Sequence, residues 1–152
     1  MMRRGERERN DPAWIAEVLR DARVCRVAFA GPEPYVVPLC FGYEENRIYL
    51  HSAPEGKKMD LFSGNPKVCV EFETGVELVT GGPPCDWGMK YRTVISSGTA
   101  RLVEDEDEKL RALSLIAKHY GAKGTITPGM AGKVAVIRID LEEVSGKTAG
   151  YS

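Results

Sequence analysis

The sequence predicts a mainly β, α+β fold: an antiparallel barrel with helices packed at its ends. Two observations lead there. About six apolar runs of strand length alternate or are rich in β-branched residues, against two substantial helical patterns and one short one. The helices do not alternate regularly with the strands, which argues against a doubly wound parallel sheet, and small antiparallel sheets protect their edges by closing.

Each element has a local reason. Residues 1–10 are charged and read as a flexible arm before one domain over 11–152. DPAWIAEVLRDA (11–22) starts on Asp11 as N-cap with Pro12 at the first helical position, and Trp14, Ile15, Val18, Leu19 and Ala22 recur at helical spacing. VCRVAFA (24–30) alternates as a strand, and GPEP (31–34) is a turn. YVVPLCFGYE (35–44) reads as one strand whose Pro38 cannot donate to a ladder, so it marks an edge, a bulge or a ligand-facing position. RIYLHS (47–52) is a third strand, close enough to the first two for a meander. A short helix stops at Asn65-Pro66, and KVCVEFE (67–73) follows as a strand. Residues 74–89 form a long irregular stretch in which VELV extends a strand before Gly81-Gly82-Pro83-Pro84 breaks it. KYRTVISSGTARLVED (90–105) is a long strand bent near Ser97-Gly98. The clearest helix lies over 104–121, with acids in its first turn, Lys118 and His119 in its last, and Gly121 as C-cap. A loop (122–132) and a final strand (133–148) complete the chain.

Composition bounds the function. The 152 residues fit one domain, and 43% apolar with 28% charged residues is ordinary for a globular protein. Lys plus Arg is 21 and Asp plus Glu is 22, a net charge of -1, so no overall field draws nucleic acid or an acidic membrane, and no basic-aromatic stripe is present. No stretch reaches the roughly 18 apolar residues of a spanning helix, and no apolar segment of a signal peptide follows the charged start, so the expected compartment is the cytoplasm. Cys25, Cys40, Cys69 and Cys85 form no CxxC pair, which disfavours structural zinc; three of them lie in strand-like runs and read as buried thiols.

The chemistry concentrates in HSAPEGKKMDLFSGNP (51–66). Its helix carries Lys57 and Lys58 in the first turn, where the backbone is already positive and each cation costs roughly 0.3–1 kcal/mol. A phosphate at the free N–H groups would turn both lysines into counter-ions, with the Ser52 hydroxyl as a further donor; two solvated lysines are the plain alternative. No Walker or GxGxxG pattern occurs, which excludes a conventional nucleotide-binding loop.

Three segments, PYVVPLCFGYE (34–44), IYLHSAPEGKKMDLFSGNPKVCVEFE (48–73) and CDWGMKYRTVISSGTARLVED (85–105), resemble the pyridoxamine 5′-phosphate oxidase-like split barrels. Within that family the HSAPEGKK and CDWGMKYRTV segments are most similar to the nitroimidazole-resistance branch, and the resemblance runs from about Asp11 to Lys147. It implies a split β-barrel homodimer with FMN in two clefts between subunits, acting as an oxidoreductase on a small electron-poor aromatic. It implies that Val37, Pro38, Leu39 and Cys40 lie along the flavin ring. His51 and Ser52 would stand beside the ribityl-phosphate path, and Lys57 and Lys58 would hold the phosphate. The partner subunit's strand would bring Trp87, Tyr91, Arg92 and Thr93. His51 is the proton donor in this reading, and a strand-end histidine bonded to backbone is its alternative. Arg92 would meet an anionic substrate or reduced flavin, or else pair with a nearby acid. Haem or a deazaflavin are the other cofactors the family and the phosphate seat allow, and a carrier or sensor without turnover is the rival function. Both phosphate cations are lysines, point charges rather than forks, and the arginine- and histidine-rich clamp of the vitamin B6 oxidases is absent.

Overall fold

The sheet is built from the alternation of apolar residues, which points one face of most strands inward, while strand residues 48–50 and 135–137 are buried on both faces. The computed structural model describes residues 3–151. Helix α1 (Pro12–Asp21) leads into β1 (Cys25–Ala30), β2 (Pro34–Leu39), β3 (Gly42–Glu44) and β4 (Arg47–Ser52). Helix α2 (Lys57–Gly64), the long strands β5 (Lys67–Val79) and β6 (Gly88–Leu102), helix α3 (Glu106–His119), the single turn α4 (Pro128–Ala131) and β7 (Ala135–Ala149) follow. All pairings are antiparallel, in the order β2-β1-β5-β6-β7-β4-β3. The result is a seven-stranded sheet that curls without closing, a split barrel with flanking helices.

The expected meander over residues 24–52 does not form. Residues 35–44, read as one strand, divide at Cys40–Phe41, so that β2 takes one end of the sheet order and β3 the other. Phe41 is the reason. Its ring is fully buried against Phe72 (5.1 Å) and His119 (4.5 Å), and its amide donates to the Tyr120 hydroxyl at 3.1 Å. The chain therefore dives through the core between the two edges. Pro38 sits on the edge strand, one of the positions its missing donor allows.

Other boundaries follow the sequence closely. Asp11 caps α1 by accepting from the Trp14 amide at 3.2 Å. Asp105 caps α3 through the Glu108 amide at 2.8 Å. The bend expected near Ser97-Gly98 is a register shift between Ser96 and Gly98, where Gly98 faces Ile139 and a Cβ would collide. Strand β5 runs on through residues 74–79, in line with the strand expected for VELV, across a second shift between Thr74 and Glu77, and residues 80–87 connect it irregularly to β6 as a two-stranded arm. The turn α4 was not expected; the Thr127 hydroxyl caps it.

Two expectations are corrected. The arm over residues 1–10 is tied down at its end: Glu8 bridges to Lys147, and the Arg9 amide donates to the Gly146 carbonyl at 2.8 Å. Residues 1 and 2 lie outside the described residues. Of the cysteines, only Cys25 is buried, because Cys40 follows the end of β2 and Cys69 alternates outward on β5.

The larger core lies inside the sheet, under α1 and α2, and includes Val27, Ile48, Leu50, Val70, Phe72, Val94 and Ile139. A smaller one joins α3 to β4 and β7 through Tyr49, Ala112, Ile116 and Val136. Buried Tyr49 donates to Glu108 at 2.9 Å, and Arg138 donates to the same carboxylate oxygen at 2.9 Å.

Candidate functional site

The residues of the expected phosphate site gather at the end of the barrel where β4 passes into α2. Gly56, at φ +132°, is the N-cap of α2, and no side chain caps the helix. The first helical bond is made by the Asp60 amide to the Gly56 carbonyl at 3.1 Å, so the amides before it are left without helical partners. Lys57 and Lys58 occupy the first two helical positions, and among the described residues neither has a carboxylate within ion-pair distance. The Lys57 ammonium lies over the Tyr35 ring at 4.5 Å, a contact that aims it along β2. Ser52 is buried where β4 ends, and His51 beside it is exposed, with no hydrogen bond to its ring among the described residues.

Strand alternation sorts the expected ring contacts into two sets. Val37 and Leu39 pack inward on the core, whereas Pro38 faces outward and Cys40 is exposed. Outward positions align in cross-strand rows: Pro38, Arg26, Glu71 and Ile95 form one, and Val36, Ala28, Cys69 and Ser97 the next. Between these rows lies a groove of about 460 Å³, lined by Arg26, Ala28, Val36, Cys69, Glu71 and Glu73. Its floor is apolar and one end is charged. Arg26 Nη1 donates to Glu71 at 3.3 Å and to Glu73 at 3.1 Å, and the Thr93 hydroxyl donates to the other Glu71 oxygen at 3.1 Å. Burial, with the neighbouring Glu73 carboxylate, pushes the Glu71 carboxyl above its ordinary range.

The third group lies on the β5–β6 arm. Thr93 faces outward with the groove, in the row Glu73, Thr93, Lys147. Arg92 emerges on the opposite face. Its guanidinium stacks on the Tyr151 ring at 3.9 Å, the Tyr151 hydroxyl donates to the Gly75 carbonyl at 2.9 Å, and no acid pairs with Arg92 among the described residues. Trp87 is 51% exposed at the end of the arm, next to Met89. Lys67, which follows α2, lies seven positions along β5 from Thr74, which pairs with Arg92. That spacing is roughly 23 Å at about 3.3 Å per residue. Within one chain, therefore, the lysine seat and the arm residues stand at opposite ends of the strands.

The sequence reading passed over Arg26, Glu71, Glu73 and Tyr151. The first three had a signal: in VCRVAFA and KVCVEFE the charged residues alternate with the buried ones, which sets them together on the outward face. Tyr151 had none, because its partners are remote in sequence.

An unclosed seven-stranded antiparallel barrel with flanking helices, one of them uncapped and lysine-bearing at its start, defines a split-barrel protein. The chain belongs to the pyridoxamine 5′-phosphate oxidase family, whose sequence profile it matches over residues 11–148. It is similar to a candidate 5-nitroimidazole antibiotic resistance protein from Bacteroides thetaiotaomicron, at 31% identity and a TM-score of 0.81, covering 93% of this chain and 86% of that one. A FAD-binding protein from Mesorhizobium loti is 28% identical with a TM-score of 0.70 over 95% of this chain and 98% of that one. The flavocytochrome Anf3 of Azotobacter vinelandii shares the fold at 20% identity, with a TM-score of 0.84 over 99% of this chain and 73% of that one.

Proposed function

We propose that this protein is an oxidoreductase that binds FMN between two copies of itself and reduces small, electron-poor aromatic compounds such as nitroimidazoles. The observation that carries the reading is the pair of unneutralised lysines on the uncapped start of α2. A phosphate ester fits there: it would take the free amides and both ammonium groups, with the Ser52 hydroxyl as a further donor. The FAD-binding relative from Mesorhizobium loti supports a flavin, and the Bacteroides relative supports the substrate class.

The bound flavin would supply two-electron redox chemistry, and the protein would supply position and charge. Pro38 and Val36 offer an apolar surface for a flat ring on the outward face. His51, exposed near the end of β4, would hand a proton to a reduced substrate. A second copy supports the reading in two ways. It would cover Val36, Leu78, Trp87, Met89 and Ile95, which are 46–60% exposed in the single chain. It would also bring one chain's arm to the other's lysine seat, which a single chain cannot do.

Native mass spectrometry of the purified protein tests the reading in one measurement. The expected result is a dimer carrying two FMN masses, with a yellow absorbance spectrum. A colourless protein that ignores added FMN overturns it. A deazaflavin mass in place of FMN would retain the seat and replace the cofactor, whereas a haem mass would favour a haem carrier or sensor.

A further inference from the structure

The charged end of the outward groove has a feature the cofactor reading does not use. Both carboxylates that hold Arg26 bind the same nitrogen, Nη1. Among the described residues no acceptor meets its Nη2 or Nε, and the side chain is 43% exposed. The guanidinium is thus anchored at one corner and presents its remaining donors to the groove beside Pro38. Such an edge matches a planar group with two oxygen atoms.

Charge then narrows the ligand. One guanidinium stands with two carboxylates, so the end of the groove has donors but no net positive charge. Beyond these three groups, Arg23 and Asp21 line the adjoining hollow with Arg26 and Glu73, one charge of each sign, and leave that balance unchanged. A carboxylate or phosphate entering the groove would be repelled by the acid in excess. A neutral two-oxygen acceptor would keep the hydrogen bonds without that repulsion.

We propose that Arg26, held by Glu71 and Glu73, is a specificity-determining residue of the groove that selects a neutral nitro group over an isosteric carboxylate. The inference deepens the function reading and rests on its placing of an aromatic ligand on the outward face.

Nitrobenzene and benzoate share a shape and differ by one charge, so they are the probes. The full-length protein is titrated with each, and binding is read on the ligand by NMR, which needs neither turnover nor colour. The wild type is expected to bind nitrobenzene more tightly. Glu73→Gln removes the excess acid and is expected to shift the ratio toward benzoate about tenfold. Arg26→Lys keeps the charge but not the fork, and is expected to weaken nitrobenzene about fivefold. Equal or tighter benzoate binding in the wild type overturns the inference. So does an unchanged ratio in Glu73→Gln, or undiminished nitrobenzene binding in Arg26→Lys. Flavin content is measured in the same preparations. Protein that keeps the nitro preference without flavin loses the function reading alone, and flavin-loaded protein without the preference loses this one alone.

Discussion

Lys57 and Lys58 sit where a helix least favours cations, and that makes their two roles separable. Replacing both with alanine removes an unfavourable interaction with the helix dipole, roughly 0.3–1 kcal/mol for each. The flavin-free variant is therefore expected to unfold at slightly higher denaturant than the wild type, while its affinity for FMN falls about tenfold to a hundredfold by fluorescence titration. A loss of both stability and affinity would mean the lysines serve the fold instead. Glu108 behaves in the opposite way. Burial raises its carboxyl, but the bonds from Arg138 and Tyr49 outweigh that and hold it below its ordinary value. A depressed folded value stabilises the protein above the unfolded value, and that contribution is lost as pH falls through the depressed one. Glu108→Gln is expected to cost about 1–3 kcal/mol at neutral pH. The deficit should shrink below pH ~4.3, the ordinary glutamate value, as the wild type loses the same charge. Urea unfolding across pH 2–7 reads both. Cys25 is pushed up to about 12 by burial, so it stays a neutral thiol. Iodoacetamide on the native protein is expected to leave it unmodified, by peptide mass mapping, until the chain is unfolded.

At the scale of elements, α3 is held to the sheet by close approach. Gly42, on β3, faces the Ile116 amide and the Leu115 backbone, and a Cβ there would stand 2.7 Å from the former. The contact is with backbone, so the helix must move as a whole to relieve it. Gly42→Ala is expected to destabilise the protein by about 1–3 kcal/mol, read by thermal or urea unfolding. Tyr120 continues the same fastening: its hydroxyl donates to the Arg23 carbonyl at 2.7 Å while accepting from Phe41. His119 Nε2 donates to the Ala22 carbonyl at 2.8 Å. The end of α3 thereby ties α1 to the chain crossing between β2 and β3. Sequence had read His119 through the helix dipole alone, because Ala22 is 97 residues away along the chain.

At the scale of the molecule, the outward sheet face and the arm leave large apolar side chains in water. A charge placed among them separates assembly from folding. Ile95→Lys on the outward face is expected to leave the thermal unfolding of one chain nearly unchanged, shift the protein to monomer by analytical ultracentrifugation, and lower FMN retention with it. A dimeric variant would show that a second copy sits elsewhere.

The local chemistry of the chain was legible where neighbours decide the outcome. The cap Asp11, the acidic start of α3, the bend at Gly98, the short helix with its misplaced lysines and the antiparallel character all follow from residues a few positions apart. Periodicity also fixed which side of each strand faces in, so Arg26, Glu71 and Glu73 were there to be read. What the fold alone decided is which strands become neighbours. The plunge of Phe41 splits one expected strand between the two edges of the sheet, because its burial depends on Phe72 and His119, both distant in sequence. Long-range packing also placed Tyr151 against Arg92. Spacing reports a side chain's local direction, but its partners depend on where the rest of the chain closes around it.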